Sequence, residues 1–126
     1  MKILLITSIL LCVAVATVVV ALNLLKNQRK LTREEAIERS KGSSLVQDGL
    51  EIAHSYSIEV NYLDLEAIEQ RKEGHLHEIF IKVPENHTAW EIIWYISKGV
   101  GGYNIIVIVD ADTGAIIHEE KGVELL

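Results

Sequence analysis

Two aspartates and a glycine near the end of the chain have a spacing that suggests metal chemistry. Asp110, Asp112 and Gly114 match the start of a calcium-binding loop. Such a loop also needs an oxygen-bearing residue at its fifth position and a glutamate at its twelfth, where this chain has Gly114 and Lys121. A hairpin turn explains the same residues, because aspartate side chains accept bonds from nearby backbone N–H groups and glycine adopts positive φ. The sequence therefore favours a structural turn at Asp110, Asp112 and Gly114.

His75 and His77 form the second group that could bind a metal ion. On a predicted strand, residues two apart face the same side, so two imidazoles could begin a zinc site. The other histidines and the acidic residues lie at no signature spacing, and the single cysteine, Cys12, lies in an apolar run. We therefore expect solvent-facing histidines, no metal site and no cofactor.

No group of residues predicts catalysis. The serines cluster near predicted helix starts, and none occupies a nucleophile elbow. The glycines of the segment 99–102 lack the third glycine and the following helix of a nucleotide-binding fingerprint. The sequence therefore predicts a protein that is not an enzyme.

Asn86-His87-Thr88 has the form of an N-glycosylation acceptor. The triplet follows Pro84, the only proline of the chain, in a predicted turn. Asn86 is therefore a candidate glycosylation site, provided that the domain faces outside the cytoplasm.

An apolar segment precedes the part of the chain that carries these residues. Residues 3–25 contain no charge, and a helix of that length would cross a bilayer core of about 30 Å. Ala14-Val15-Ala16 also fits a cleavage site, so a cleaved signal is the alternative. We expect a transmembrane anchor or signal segment over residues 1–26, a basic juxtamembrane linker over 27–31 and one domain over 32–126.

Charge is divided unevenly along the chain. Residues 1–41 carry seven basic and three acidic residues, a net charge of +4, whereas residues 42–126 carry five basic and fifteen acidic residues, a net charge of −10. An acidic domain repels phosphate backbones, so we expect no nucleic-acid partner. The basic cluster from Lys26 to Arg33 suits an anionic membrane surface and, by the positive-inside rule, favours a cytoplasmic domain.

The elements that position the candidate residues predict an α+β fold. Thr32 and Glu35 form a capping box that predicts a helix to about Lys41, and a second short helix is expected over about Leu45–Ala53. Alternating apolar residues predict five short antiparallel strands, near residues 58–62, 77–83, 90–96, 103–109 and 115–119. A change of phase near residues 62–63 predicts a bulge or a break in the strand. We expect a transmembrane helix, then a helix packed on one face of an antiparallel meander.

The order of these elements resembles the PepSY domain. The resemblance rests on the helix start Leu31–Ile37, on Trp90-Glu91-Ile92 and chiefly on the closing hairpin Val107–Ile116, and it covers about residues 31–120. It implies a non-catalytic protein-binding module at the cell envelope, with a peptidase as a partner that the module restrains or regulates. It also implies a domain outside the cytoplasm, which opposes the charge count.

Aromatic residues predict where a partner binds. Trp90 and Trp94 share one face of a predicted strand, and core packing is the ordinary explanation for them. Because one helix covers only one face of the sheet, the other face is available to a protein, a peptide or a second copy of the chain. We expect Trp90, Trp94, Tyr95 and Tyr103 to contribute to partner binding. The alternative is a structural role in the cell envelope through self-association.

Overall fold

The structure is a computed structural model and describes residues 7–19 and 29–124. Helix α1 covers residues 7–19. The remaining elements are α2 (Arg33–Ser40), α3 (Ser44–Ile52), β1 (Ser55–Leu63), α4 (Leu65–Glu73), α5 (His77–Phe80), β2 (Ala89–Ser97), β3 (Gly102–Asp110) and β4 (Ile116–Lys121). The four strands form one antiparallel sheet in the order β1-β2-β3-β4. The α+β class is therefore as predicted, and the sheet is an antiparallel meander of four strands instead of the five expected.

The structure contradicts the prediction of a transmembrane helix. Across residues 7–19 and 29–124, no helix combines the length and the apolar character that crossing a membrane requires. The rest of the predicted anchor, and the linker residues before Arg29, lie outside the described residues.

Side-chain N-caps fix where the two helices before the sheet begin. Thr32 Oγ1 accepts a hydrogen bond from the Glu35 N–H at 3.2 Å, and Glu35 Oε1 accepts one from the Thr32 N–H at 3.3 Å. This reciprocal pair is the predicted capping box and satisfies two N–H groups that the first turn leaves free. Ser43 caps α3 through a single bond of this kind, because its hydroxyl accepts from the Val46 N–H at 3.4 Å. Both predicted helices are confirmed.

The prediction of a strand over residues 77–83 is wrong. Of the two possibilities predicted near residues 62–63, the break occurs and the bulge does not, because β1 pairs regularly with β2 and ends at Leu63. Asp64 ends β1 and caps α4, accepting a hydrogen bond from the Ala67 N–H at 2.8 Å. α4 and the short helix α5 then fill the chain between β1 and β2. The alternation of Ile79, Ile81 and Val83 suggested a strand, but Phe80 and Val83 are the residues that are buried. That spacing of three is helical.

Helices cover both faces of the sheet, which corrects the expected single covered face. The first face packs on α2 and α3 around a buried cluster: Ala36, Val46, Ile92, Trp94, Ile96, Tyr103, Ile105, Val107 and Val109. The second face packs on α4 and α5 around a smaller cluster: Leu63, Ile68, Phe80, Val83, Ala89 and Ile108. The second cluster lies at one end of the sheet, where β1 ends and β2 begins. The opposite end of that face therefore lacks the cover that α4 and α5 provide.

Candidate functional site

The four aromatic residues predicted to bind a partner do not share a surface. Trp94 is fully buried on the first face, and its indole N–H donates to Ser40 Oγ at 3.1 Å. Tyr103 is also buried there, and Trp90 packs at the margin of the same cluster. Tyr95 alone is well exposed, at 43%, on the second face. The tryptophans therefore belong to the sheet–helix core, and Tyr95 is the residue of this group that a partner can reach.

Tyr95 lies on an open cleft of about 650 Å³ at the uncovered end of the second face. The cleft is lined by Ser55, Tyr56, Ser57, Tyr95, Ile96, Ser97, Gly101, Gly102, Tyr103, Asn104 and Val123. Ser55, Ser97 and Gly102 are direct neighbours across three strands, so small residues form one row of the sheet here. Small residues let another chain approach the backbone closely.

Residues 122–124 hold one side of the cleft in place. The Gly122 N–H donates to the Asn104 carbonyl at 2.8 Å, and Lys98 forms an ion pair with Glu124. A Cβ at position 122 would lie 1.7 Å from Asn104 Oδ1, so any residue other than glycine would require the Asn104 side chain to move. Val123 follows Gly122 directly and is 85% exposed. The cleft therefore has an apolar side chain on a segment that is fastened to β3.

The two edges of the sheet differ in how they are protected. β4 is six residues long, ends in Glu119-Glu120-Lys121 and meets β3 with a shift of register beside Val109. Short length, charge and irregular pairing all discourage further pairing at an edge. β1 is nine residues long, is mostly exposed, and carries Glu59 as its only charge and no proline. β1 is therefore the edge that is open to another strand, and its first residues line the cleft.

A polar junction lies at the other end of the sheet, where three segments meet. The Leu31 N–H donates to the Ala111 carbonyl at 2.7 Å, and the Ala111 N–H donates to the Thr88 carbonyl at 2.9 Å. Trp90 Nε1 donates to the Leu31 carbonyl at 3.0 Å. These bonds join the segment before α2, the turn before β2 and the β3–β4 hairpin. The side chains of all three segments are thereby brought together.

The hairpin aspartates take part in that junction. Asp110 Oδ1 accepts the N–H groups of Asp112 and Thr113 at 2.8 and 3.0 Å, and Gly114 has φ of 81°. Asp110 and Gly114 thus make the turn expected of them. Asp110 Oδ2 lies 2.7 Å from Nδ1 of His87, which donates because an ionised carboxylate only accepts. Asp110 is 2% exposed, so this bond is largely shielded from water.

Asp112 is held in its ionised form. Partial burial disfavours the charge, but the Thr88 N–H at 3.0 Å and the Lys30 ammonium stabilise it more strongly. The pKa of Asp112 is therefore lower than the ordinary value for aspartate. Lys30 Nζ lies 3.4 Å from Asp112 Oδ1 and also donates to Thr88 Oγ1 at 2.9 Å.

The other sites suggested by the sequence lie outside both the cleft and the polar junction. His75 lies in a turn and His77 begins α5, where its Nδ1 is 2.6 Å from the Lys72 carbonyl, so no strand aligns their rings. Asn86 is exposed in the turn before β2 with φ of 63°, a conformation that asparagine tolerates. Its glycosylation stays a prediction.

The pairing of His87 with Asp110 was missed from the sequence. The two residues are 23 positions apart and match no ligand or catalytic spacing, so neither residue type alone predicts the contact. The available signal was weak: a histidine in one turn and two aspartates in another. Only the register of β2 against β3, which pairs Ala89 with Asp110, brings the two turns together.

Comparison with protein-family models, with curated proteins and with solved structures found no match for this chain. The resemblance to PepSY domains therefore remains a prediction from the residues quoted above.

Proposed function

We propose that the domain is a non-catalytic protein-binding module that pairs an extended segment of its partner with the free edge of β1. The observation that carries this proposal is the contrast between the charged, irregular β4 and the long, nearly uncharged β1. An unprotected edge strand offers backbone N–H and C=O groups to an added strand, which is a common mode of peptide recognition.

The cleft beside β1 supplies the side-chain contacts of the proposed site. A strand added at the start of β1 would place alternate side chains on the second face, next to Ser57 and Tyr95. Tyrosine is enriched among the residues that dominate binding energy at interfaces. A net charge of −10 over residues 42–126 favours a neutral or basic segment.

The chemistry of the cleft supports a binding role without catalysis. Its lining contains no acidic, basic or histidine side chain. Histidine, carboxylate and lysine side chains are the usual general acids and bases, and the tyrosines of the lining have none of these groups beside them within the cleft. The resemblance to PepSY domains makes a peptidase the first class of partner to test.

Self-association is the competing use of the same edge. Glu59 is the middle residue of β1, so symmetric pairing over the full strand would place it opposite its own copy. Like charges directly opposite each other destabilise a sheet. The acidic character of the whole domain adds to that repulsion, so we favour a different chain as the partner.

Selection from a displayed library of random peptides on the immobilised full-length chain tests the proposal. Synthetic copies of the selected peptides are then titrated by fluorescence anisotropy. Ser57→Lys places a charge in the cleft, Tyr95→Ala removes its aromatic side chain, and each should weaken binding by about tenfold or more. Ile81→Ala is the matched control, because Ile81 is an exposed apolar residue that follows α5, outside β1 and the cleft.

Three outcomes would count against the proposal. The first is that no peptide is selected. The second is that Ser57→Lys binds the selected peptides as tightly as the parent chain. The third is a dimer in analytical ultracentrifugation that Ser57→Lys dissociates, which would favour the assembly role instead.

A further inference from the structure

We infer that His87, Asp110 and Asp112 form a binding site for a divalent transition-metal ion of the zinc type. One ligand atom from each of the three side chains lies within 4.8 Å of the others, so among the described residues this group has the spacing to hold a metal ion. The site lies at the polar junction, at the opposite end of the sheet from the cleft and from the start of β1. The inference does not depend on the proposed binding function.

Each carboxylate is oriented by the backbone through one oxygen, and its other oxygen faces the junction. Asp110 Oδ1 accepts two backbone N–H groups, which leaves Oδ2 directed at His87. Asp112 Oδ2 accepts the Thr88 N–H, which leaves Oδ1 directed at Lys30. Carboxylates that bind metals are commonly held by hydrogen bonds of this kind, which fix their geometry before the ion arrives.

The junction already attracts a positive charge to the place where the ion would bind. The Lys30 ammonium lies 3.4 Å from Asp112 Oδ1 and is close to Thr88 Oγ1 as well. The Lys30 side chain is 44% exposed, so it can move into solvent when a dication enters. A small ion would then lie between Nδ1 of His87, Oδ2 of Asp110 and Oδ1 of Asp112. Nδ1 would release the proton that it now donates, either to water or to Nε2.

The ligand set determines the class of ion. One imidazole and two carboxylates, with a water molecule as the fourth ligand, suit four-coordinate zinc. Calcium and magnesium prefer sites made entirely of oxygen atoms, so a histidine ligand disfavours them. The ion would join two segments of the chain, the turn before β2 and the β3–β4 hairpin, and binding to the folded state alone would raise its stability.

Isothermal titration of the full-length chain without a polyhistidine tag, first freed of metal, tests this site with ZnCl₂ and, in parallel, CaCl₂. We expect one equivalent of zinc to bind at least about tenfold more tightly than calcium. His87→Gln should weaken zinc binding by about 100-fold, since it removes a ligand but leaves an amide that can still donate to Asp110. His77→Gln is the matched control and should change the affinity by less than about twofold.

A Lys30→Met variant gives an independent test of where the ion binds. Removing the neighbouring ammonium should strengthen zinc binding by about three- to tenfold, because two like charges no longer compete for Asp112. If circular dichroism shows that His87→Gln does not fold, the Lys30→Met variant alone tests whether zinc binds at the polar junction. The inference is overturned if zinc does not bind, if folded His87→Gln binds it as tightly as the parent, or if Lys30→Met fails to bind it more tightly.

Discussion

The contact between Ser40 and Trp94 gives a quantitative test of how the core is built. Both residues are fully buried, and Ser40 Oγ accepts the indole N–H at 3.1 Å while donating to the Ile37 carbonyl at 2.7 Å. The serine thus joins the end of α2 to the middle of β2. Replacing Ser40 by alanine leaves the indole N–H buried without a partner, whereas replacing Trp94 by phenylalanine removes that N–H altogether.

The size of the effect follows from the cost of an unpaired buried donor. Leaving the indole N–H without an acceptor costs about 1–3 kcal/mol. Alanine favours a helix over serine by roughly 0.5 kcal/mol, which offsets part of that cost. We therefore expect Ser40→Ala to lower the free energy of unfolding by about 1–2 kcal/mol in the parent chain. In the Trp94→Phe background the same change should cost less than about 0.5 kcal/mol, because no donor is left unpaired.

A double-mutant cycle measured by urea denaturation tests these values. Unfolding should be followed by far-ultraviolet circular dichroism, since tryptophan fluorescence differs between the variants. Equal denaturant slopes across the four proteins would show that their compactness is unchanged. Ser44→Ala is the matched control, because Ser44 is an exposed serine in α3, and its effect should be additive with Trp94→Phe within about 0.5 kcal/mol. A Ser40→Ala cost that is the same in both backgrounds would refute the reasoning.

Three further predictions concern packing and helix capping. Gly49→Val should lower the free energy of unfolding by about 1–3 kcal/mol in urea titrations, because a Cβ there would lie 3.0 Å from Ile105 Cδ1. Gly74→Ala should leave the free energy of unfolding nearly unchanged, because a Cβ there would lie no closer than 3.7 Å to another atom. Equal losses of stability in the two variants would contradict tight packing at Gly49. Thr32→Ala should cost about 1 kcal/mol in the same assay through loss of the cap, and an unchanged midpoint would exclude that role. Backbone and side-chain hydrogen bonds from Thr32 hold the pKa of Glu35 below its ordinary value of 4.5. The contribution of ionised Glu35 to the stability of the fold is therefore complete above pH 4.5 and is lost as the pH falls through the folded-state pKa. The stability difference between the parent chain and Glu35→Ala should therefore narrow in acid, and a constant difference from pH 7 to pH 3 would contradict it.

Local signals in the sequence were sufficient where one side chain and its own backbone decide the outcome. Thr32 and Glu35 start α2 because a hydroxyl and a carboxylate three residues apart can satisfy two free N–H groups. Asp110 and Gly114 turn the chain for the same local reason. The α+β class followed, because the strands predicted near residues 58–62, 90–96, 103–109 and 115–119 all overlap observed strands.

The segment between β1 and β2 shows where local signals were insufficient. Residues 77–83 satisfy a strand pattern through Ile79 and Ile81 and a helical pattern through Phe80 and Val83. The burial of Phe80 and Val83 against Leu63 and Ala89 selects the helical reading. Asp64 was a usable cap signal before the run of helix-forming residues that follows it.

The sequence by itself determined the acidic composition, the capping box of α2 and the closing hairpin, because each depends on composition or on residues within a few positions. It did not determine the order of the elements, since α4 and α5 lie between β1 and β2. Tertiary structure alone decided which aromatic residues are buried, which edge is open and which turns meet. Trp94 and Tyr95 are neighbours in the chain, yet one lies in the core and the other on a cleft, since helices cover the two faces unequally. His87 and Asp110 meet because β2 and β3 pair in one register, and pairing between distant strands is encoded in no local pattern.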